Sequence, residues 1–312
     1  MARLPQTLIV LALLGATAAA FAVTERLKLE KSPVTGTRVD KIFSPVCECA
    51  REVAVISVRL RDPQIVTVDV LDSRRRPVRT LVQNRREQRG RVSYAWDGRD
   101  EAGRVVPEGV YRPRIRLREH GRTIVLPNPI RVDTTAPTIA LERVAPRLFS
   151  PDGDEEVDRV TASWETDEPA RAMMLVNGRR RVLSKFRATK GRLVWFGLVD
   201  GRSVPPGTYE IRLRAFDRAG NRSARTRAVT VRVRYIELAR TEIEAVVSRR
   251  FSVRVSTDAR IYGWLFDGRR GAARKKVLVL RAPATPGTYV LYVIGRRGAD
   301  RAEVVVREPE QP

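Results

Sequence analysis

The densest run of potential ligand groups in this sequence is Pro151-Asp-Gly-Asp-Glu-Glu-Val-Asp158. Ca²⁺ takes several hard oxygen ligands from a flexible loop, and Asp152, Asp154 and Asp158 around Gly153 are residues of that kind. The EF-hand spacing is absent, so the plainer alternative is a solvated turn paired with nearby Arg. Cys47 and Cys49 lie one residue apart in Pro45-Val-Cys-Glu-Cys-Ala50. Two thiols cannot complete a four-ligand zinc site. They suit a local disulfide that clamps their loop, with free thiols or intermolecular pairing as the alternatives. The single His, His120, stands in a turn-like Arg118-Glu-His-Gly-Arg122. No nucleophile-elbow, zincin or P-loop string occurs. The inventory therefore predicts a protein that is not an enzyme, with no catalytic residues, no cofactor and no metal beyond the calcium candidate.

Charge narrows the choice of partners. The 312 residues carry 60 Lys+Arg against 36 Asp+Glu, a net charge of +24, and only seven of the basic residues are Lys. The excess is spread along the whole chain rather than gathered into one footprint. Many Arg alternate with apolar residues, as in Tyr111-Arg-Pro-Arg-Ile-Arg-Leu-Arg118 and Val231-Arg-Val-Arg234. With a side-chain period of two, this makes Arg the solvent face of half-buried strands. No reading helix or RNA-binding aromatic motif is present, so specific nucleic-acid recognition is not expected. Anionic wall polymers, lipid headgroups or an envelope protein fit the charge better.

The N-terminus points to export. Residues Leu8–Val23 are uncharged, with Arg3 before them and Glu25, Arg26, Lys28 and Lys31 after. A helix over this run is about 24 Å long, near the lower limit for a membrane span and also suited to a signal peptide. Ala18-Ala-Ala20 and Ala20-Phe-Ala22 offer small-residue cleavage sites. The expectation is an extracytoplasmic protein, anchored in the membrane or secreted, with residues 8–23 as span or signal peptide.

Beyond residue 33 the pattern is short alternating runs between turn signals. In the first segment these predict strands at Val39–Phe43, Val53–Leu60, Ile65–Leu71, Pro77–Val82, Arg91–Trp96, Val110–Arg118 and Ile124–Val132. Seven short strands in such a length suit an immunoglobulin-like sandwich. The pattern then repeats. Ile42-Phe-Ser-Pro45 returns as Leu148-Phe-Ser-Pro151, and Trp96-Asp-Gly98 as Trp195-Phe-Gly197. Val106-Pro-Glu-Gly-Val-Tyr111 returns as Val204-Pro-Pro-Gly-Thr-Tyr209, and Pro286-Gly-Thr-Tyr289 is a third copy, with Trp264 in an earlier strand. Trp96, Gly109, Tyr111, Trp195, Gly207, Tyr209, Gly287 and Tyr289 are read as folding devices. The Trp supplies buried surface, the Gly turns the chain, and the Tyr packs its ring inward while its hydroxyl bonds nearby backbone.

The fold expected is all-β: tandem immunoglobulin-like sandwiches preceded by one N-terminal hydrophobic helix. Its parts are a signal or signal-anchor helix over 1–32 and sandwiches over 33–134, 135–233 and 234–312. The last is short and expected to lack strands. Val132-Asp-Thr-Thr-Ala-Pro137 reads as the first joint, whereas Val233–Ile236 offers no linker and predicts a short, stiff one.

The string from Phe43-Ser-Pro45 through Trp96-Asp-Gly-Arg-Asp-Glu-Ala-Gly103 to Tyr111 resembles the FlgD-type immunoglobulin-like domain, named for the flagellar hook-capping protein. Phe149-Ser-Pro-Asp-Gly-Asp154 and Asp133-Thr-Thr-Ala-Pro137 resemble loops of tandem bacterial surface repeats. The resemblance implies a sandwich fold and a bacterial surface habitat, and it brings no catalytic residues. A hook-capping role is not expected, because a hydrophobic segment precedes the first unit. The function expected is a non-catalytic envelope module that spaces or presents a binding surface. The alternative is an accessory part of an exported machine of flagellar-hook or secretion type.

Overall fold

Alternate residues of a strand face opposite sides of its sheet, so an apolar/Arg alternation fixes which side becomes core. Gly109–Leu117 obeys this rule: Tyr111, Pro113, Ile115 and Leu117 are buried, while Arg112 and Arg116 are exposed. The computed structural model describes residues 4–29 and 32–309, with side chains for 9–21 and 32–309. It is all-β apart from helix α1 (Leu4–Leu29) and falls into two compact units, Met1–Thr134 and Thr135–Pro312.

The first unit contains β1 (Val34–Val39), β2 (Ile42–Phe43), β3 (Ala54–Leu60), β4 (Gln64–Leu71), β5 (Pro77–Glu87), β6 (Gly90–Trp96), β7 (Gly109–Leu117), β8 (Arg122–Val125) and β9 (Ile130–Val132). One sheet is ordered β1-β3-β6; the other is β2-β9-β7-β4-β5, with β8 also on β7. Two predicted runs are corrected. The 39–43 run breaks at Asp40-Lys41, so that β1 pairs antiparallel with β3 and β2 pairs parallel with β9 in the opposite sheet. The 124–132 run splits into β8 and β9 around Pro127-Asn-Pro129, where two prolines lack the N–H that a ladder needs.

The second unit holds two sandwiches. The first of them comprises β10 (Ile139–Ala145), β11 (Leu148–Phe149), β12 (Val160–Val176), β13 (Arg179–Leu183), β14 (Ala188–Trp195), β15 (Leu198–Val199), β16 (Arg202–Ser203), β17 (Gly207–Phe216) and β18 (Val229–Val233). Strand β12 serves both sheets: its first half pairs with β10 and β14, its second with β13 and β17. The other comprises β19 (Glu237–Leu238), β20 (Glu242–Val246), β21 (Arg250–Ser256), β22 (Tyr262–Phe266), β23 (Arg269–Ala273), β24 (Val277–Arg281), β25 (Gly287–Ile294) and β26 (Ala299–Arg307). Its sheets, β19-β21-β24 and β20-β26-β25-β22-β23, are a full pair despite the short sequence, so the expectation of missing strands is wrong. Compact hairpins explain the economy: β22 and β23 are joined by Asp267-Gly268, a two-residue turn with both residues at positive φ.

The repeated motif is one mechanical lock. Trp96 is fully buried and sits between Phe43 (5.4 Å, tilted) and Tyr111 (5.1 Å, edge-on), its Nε1 donating to Arg99 O at 3.1 Å. Tyr111 Oη donates to Pro107 O at 2.7 Å. The second copy repeats the geometry: Trp195 lies 5.6 Å from both Phe149 and Tyr209, and Tyr209 Oη donates to Pro205 O at 2.8 Å. In the third sandwich Phe266 stands between Phe251 and Tyr289, at 5.4 and 6.2 Å, so Phe266 and not Trp264 takes the central place. Trp264 instead covers Gly271, as Trp164 covers Gly191 across an antiparallel pair. Gly109, Gly207 and Gly287 open β7, β17 and β25.

The glycine of the Trp-x-Gly step closes the lock. At Gly98 (φ +70°) a Cβ would sit 2.8 Å from the Pro45 ring, and at Gly197 (φ +62°) 2.5 Å from that of Pro151. The Phe-Ser-Pro segment therefore needs glycine opposite its proline.

No linker separates the second and third sandwiches. Tyr235 is 5% exposed within the core of the second, and the next residue, Ile236, lies in the core of the third. Tyr235 Oη donates to Val204 O at 2.6 Å, and Tyr235 O accepts from Thr257 Oγ1 at 2.9 Å. The described side chains of α1, residues 9–21, are exposed, and no helix among the described residues is long and apolar enough to cross a membrane. Val23 and the charged flanks Arg3, Glu25, Arg26, Lys28 and Lys31 lie outside the residues whose side chains are described.

Gly98→Ala combines left-handed strain with overlap on Pro45 and should cost about 2–5 kcal/mol, against about 1 kcal/mol for Gly103→Ala, whose Cβ position is open. Urea unfolding of the two variants reads the difference. Tyr235→Phe leaves Val204 O without its hydroxyl donor and should lower stability by about 1–2 kcal/mol, measurable as a fall in Tm.

Candidate functional site

Three groups of chemically interesting side chains emerge from this frame. The first is the loop after the Phe-Ser-Pro segment, which differs between the copies. In the first sandwich it carries Cys47 and Cys49, joined as a disulfide with Cα atoms 5.2 Å apart. The bond ties a tight loop between β2 and β3, so these thiols are linked to each other.

In the second sandwich the equivalent loop, between β11 and β12, carries the acidic run. Asp152, Asp154 and Asp158 each place a carboxylate oxygen within 4.8 Å of the others. The loop is folded by its own carboxylates: Asp158 accepts from the backbone N–H of Gly153 (2.7 Å) and Glu155 (2.8 Å), and Asp154 from that of Glu156 (2.9 Å). Burial, followed by the negative charge of Asp154, pushes the Asp152 carboxyl up to about 6. Asp258, from the connection between β21 and β22 in the third sandwich, is likewise raised, chiefly by burial. Arginines of the third sandwich also reach this loop. Arg260 Nη2 donates to Glu156 Oε1 at 2.7 Å, and Arg296 donates to Gly153 O.

The third group is the outward face of the sheet β2-β9-β7-β4-β5. Strand β4 is buried on both sides, and Asp69 on its outer side is 1% exposed. Its carboxylate accepts from Arg114 (Nε 3.0 Å, Nη2 2.8 Å), pairs with Arg116 at 3.2 Å and accepts from Thr80 Oγ1 at 3.1 Å. One buried anion thus aligns two arginines of β7, Arg114 and Arg116. Beside them a groove of about 330 Å³ is lined by Thr67, Gln83, Asn84, Arg116, Arg118 and Arg122. His120 is exposed in the turn between β7 and β8.

The structure gathers the predicted Asp152, Asp154 and Asp158, buries Trp96, Tyr111 and Trp195 in the cores, and packs the half-buried Tyr209 and Tyr289 against them. Asp69, Ser150, Asp258 and Arg260 were not anticipated. A lone Asp inside the apolar run Val66-Thr-Val-Asp-Val-Leu71 was a usable signal for the first. Asp258 and Arg260 meet a loop about a hundred residues earlier and leave no local trace.

Residues 51–118 match the family model of the FlgD Ig-like domain. The matched span runs from the end of the cystine loop through β7 of this FlgD-like sandwich, and so includes Asp69 and Trp96. No curated protein matches the chain. Among solved structures, fibronectin(III)-like modules of Clostridium thermocellum CbhA align at 16% identity over 64% of this chain and 93% of theirs, with a TM-score of 0.37. The I9–I11 tandem from titin aligns at 12% identity over 88% of this chain and all of its own, with a TM-score of 0.32. A bacterial ice-binding adhesin aligns at 11% identity over 90% of this chain and all of its own, with a TM-score of 0.28. These alignments are too loose to bear on function or arrangement.

Asp69→Asn should destabilise the FlgD-like sandwich by about 1–3 kcal/mol, because it leaves two arginines facing an uncharged, buried partner. Arg260→Ala removes a side chain that is 84% exposed and should leave Tm nearly unchanged. Thermal unfolding of the two variants side by side tests the contrast.

Proposed function

We propose that this chain is a non-catalytic, exported envelope module whose FlgD-like sandwich presents an arginine-lined sheet face to anionic polymer. The observation that carries this reading is the outward face of β7. Arg112, Arg114, Arg116 and Arg118 recur at every second residue, and Asp69 holds two of them in register. The adjoining groove adds Gln83, Asn84 and Thr67 as hydrogen-bonding groups, a mixture suited to a hydroxyl-rich anionic chain. A fixed row of cations lowers the entropy lost on docking and attracts a polyanion before contact. Residues 8–23 supply the export signal in this reading, and the sandwiches behind the first joint act as a spacer.

The decisive experiment passes the full chain over its own isolated envelope polymer at rising ionic strength. Retention at about 0.01 M and release towards about 1 M is expected, because the screening length shrinks from ~30 Å to ~3 Å over that range. The double substitution Arg116→Ala, Arg118→Ala should shift release to lower salt. Release that ignores salt, or capture of one protein partner that survives high salt, overturns the reading and favours membership of an exported assembly.

A further inference from the structure

The cystine of the first sandwich adds little that its loop does not already have. Ser44 N–H donates to Arg51 O at 3.0 Å outside the two cysteines, and Glu52 N–H donates to Cys49 O at 3.2 Å. Pro45 is already seated against Gly98 before Cys47 is reached. In the second sandwich the equivalent loop is held by carboxylate–backbone hydrogen bonds and has no cysteine. A cross-link stabilises chiefly by restricting the unfolded chain, and the effect grows with the loop that it closes. Cys47 and Cys49 are two positions apart, so this one restricts very little.

Two further observations set this bond apart from a structural staple. Glu48, the single residue between the cysteines, has φ +47°, in the left-handed region that side chains other than glycine rarely adopt. The closed ring therefore holds an unfavourable backbone conformation that opening would relieve. The loop is also accessible. Cys49 is half-buried, whereas Cys47 is buried; Glu48 and Ala50 on either side of Cys49 are exposed, as are Val46 and Val53 (50% and 40%). Disulfides that are strained or exposed are the labile ones, open to attack by an external thiolate. The chain has no other cysteine, so exchange cannot reshuffle bonds within it. Any new disulfide made here joins another molecule.

We propose that Cys47–Cys49 is a thiol-acceptor site, through which the FlgD-like sandwich joins covalently to a cysteine-bearing polypeptide. A thiolate of the incoming chain attacks Sγ of Cys49, the more accessible of the two. A bond forms between these sulfurs as the Cys47–Cys49 bond breaks, and the electron pair passes to Cys47 Sγ, which takes a proton from water. One disulfide is consumed and one is made, so the step needs no oxidant or reductant. Recapture of Cys49 by Cys47 has to rebuild the left-handed turn at Glu48, which favours the mixed disulfide. Val46 and Val53 give an incoming chain apolar surface that a small thiol has no side chains to use. The site is independent of the polymer reading, since no arginine of β7 takes part in the exchange.

The test incubates the full, oxidised chain with a reduced peptide that carries one cysteine between valines, and in parallel with reduced glutathione. Acid quenching, alkylation and mass spectrometry then locate the adduct. One peptide per chain is expected on Cys49, with the alkylation label on Cys47. The native chain should react within about tenfold of the rate of the urea-unfolded chain, because an accessible disulfide needs no unfolding to be attacked. A native chain slower than that overturns the site. The native-to-unfolded rate ratio should be larger for the peptide than for glutathione, and equal ratios overturn the polypeptide assignment. Cys47→Ser, which leaves Cys49 as the sole thiol, should react with dithionitrobenzoate faster than Cys49→Ser, and the reverse order overturns the choice of sulfur. Replacing both cysteines by Ser should lower Tm by less than about 8 °C, whereas a larger fall marks a structural staple and overturns the proposal.

Discussion

The contact between a proline ring and a glycine with no side chain organises the first two sandwiches. Pro45 lies against Gly98, and Pro151 against Gly197, each so closely that a Cβ would overlap the ring. This contact brings the loop after the first short strand beside the Trp-x-Gly turn. The Phe two residues before the glycine-contacting proline then reaches the Trp, and the Trp reaches the Tyr. Edge-to-face aromatic contacts of this kind add about 0.5–1.5 kcal/mol each beyond the area they bury. Their larger effect is to fix the relation between the two sheets, because Phe and Tyr belong to strands of one sheet and Trp to the other.

With the lock closed, the residues that follow Phe-Ser-Pro are held at one end of the sandwich and are free to vary in chemistry. One copy fills that position with a cystine loop, the other with a cluster of aspartates. The same constraint, used twice, thus delivers two different small loops to equivalent places. In the third sandwich the lock is reduced to Phe251, Phe266 and Tyr289, and the loop is absent. That sandwich instead supplies Asp258, Arg260 and Arg296 to the acidic loop of its neighbour.

Charge follows a similar logic of fixed scaffold and variable surface. Alternation along β7 decides that the arginines point outward, and Asp69 decides that Arg114 and Arg116 are held rather than mobile. A net charge of +24 becomes a directional feature only where such an anchor exists. Other strand arginines, such as Arg59 and Arg131, are exposed on solvated faces, which keeps sheet surfaces soluble and discourages edge pairing.

The sequence by itself determined the class of fold, the repeat of Phe-Ser-Pro, Trp-x-Gly and Gly-x-Tyr, and the inward or outward sense of most strands. These depend on period-two alternation and on turn residues, which are local properties. The identity of the aspartate cluster was equally legible, since its members lie within seven residues. Tertiary structure alone decided the rest. It made β12 one strand shared by both sheets and gave the third sandwich a complete pair of sheets. It also placed Phe266 where Trp264 was expected, and brought Ser150 and Asp258 together across a joint. Such meetings depend on how separate elements pack, and spacing along the chain carries no record of which distant residues will share a buried volume.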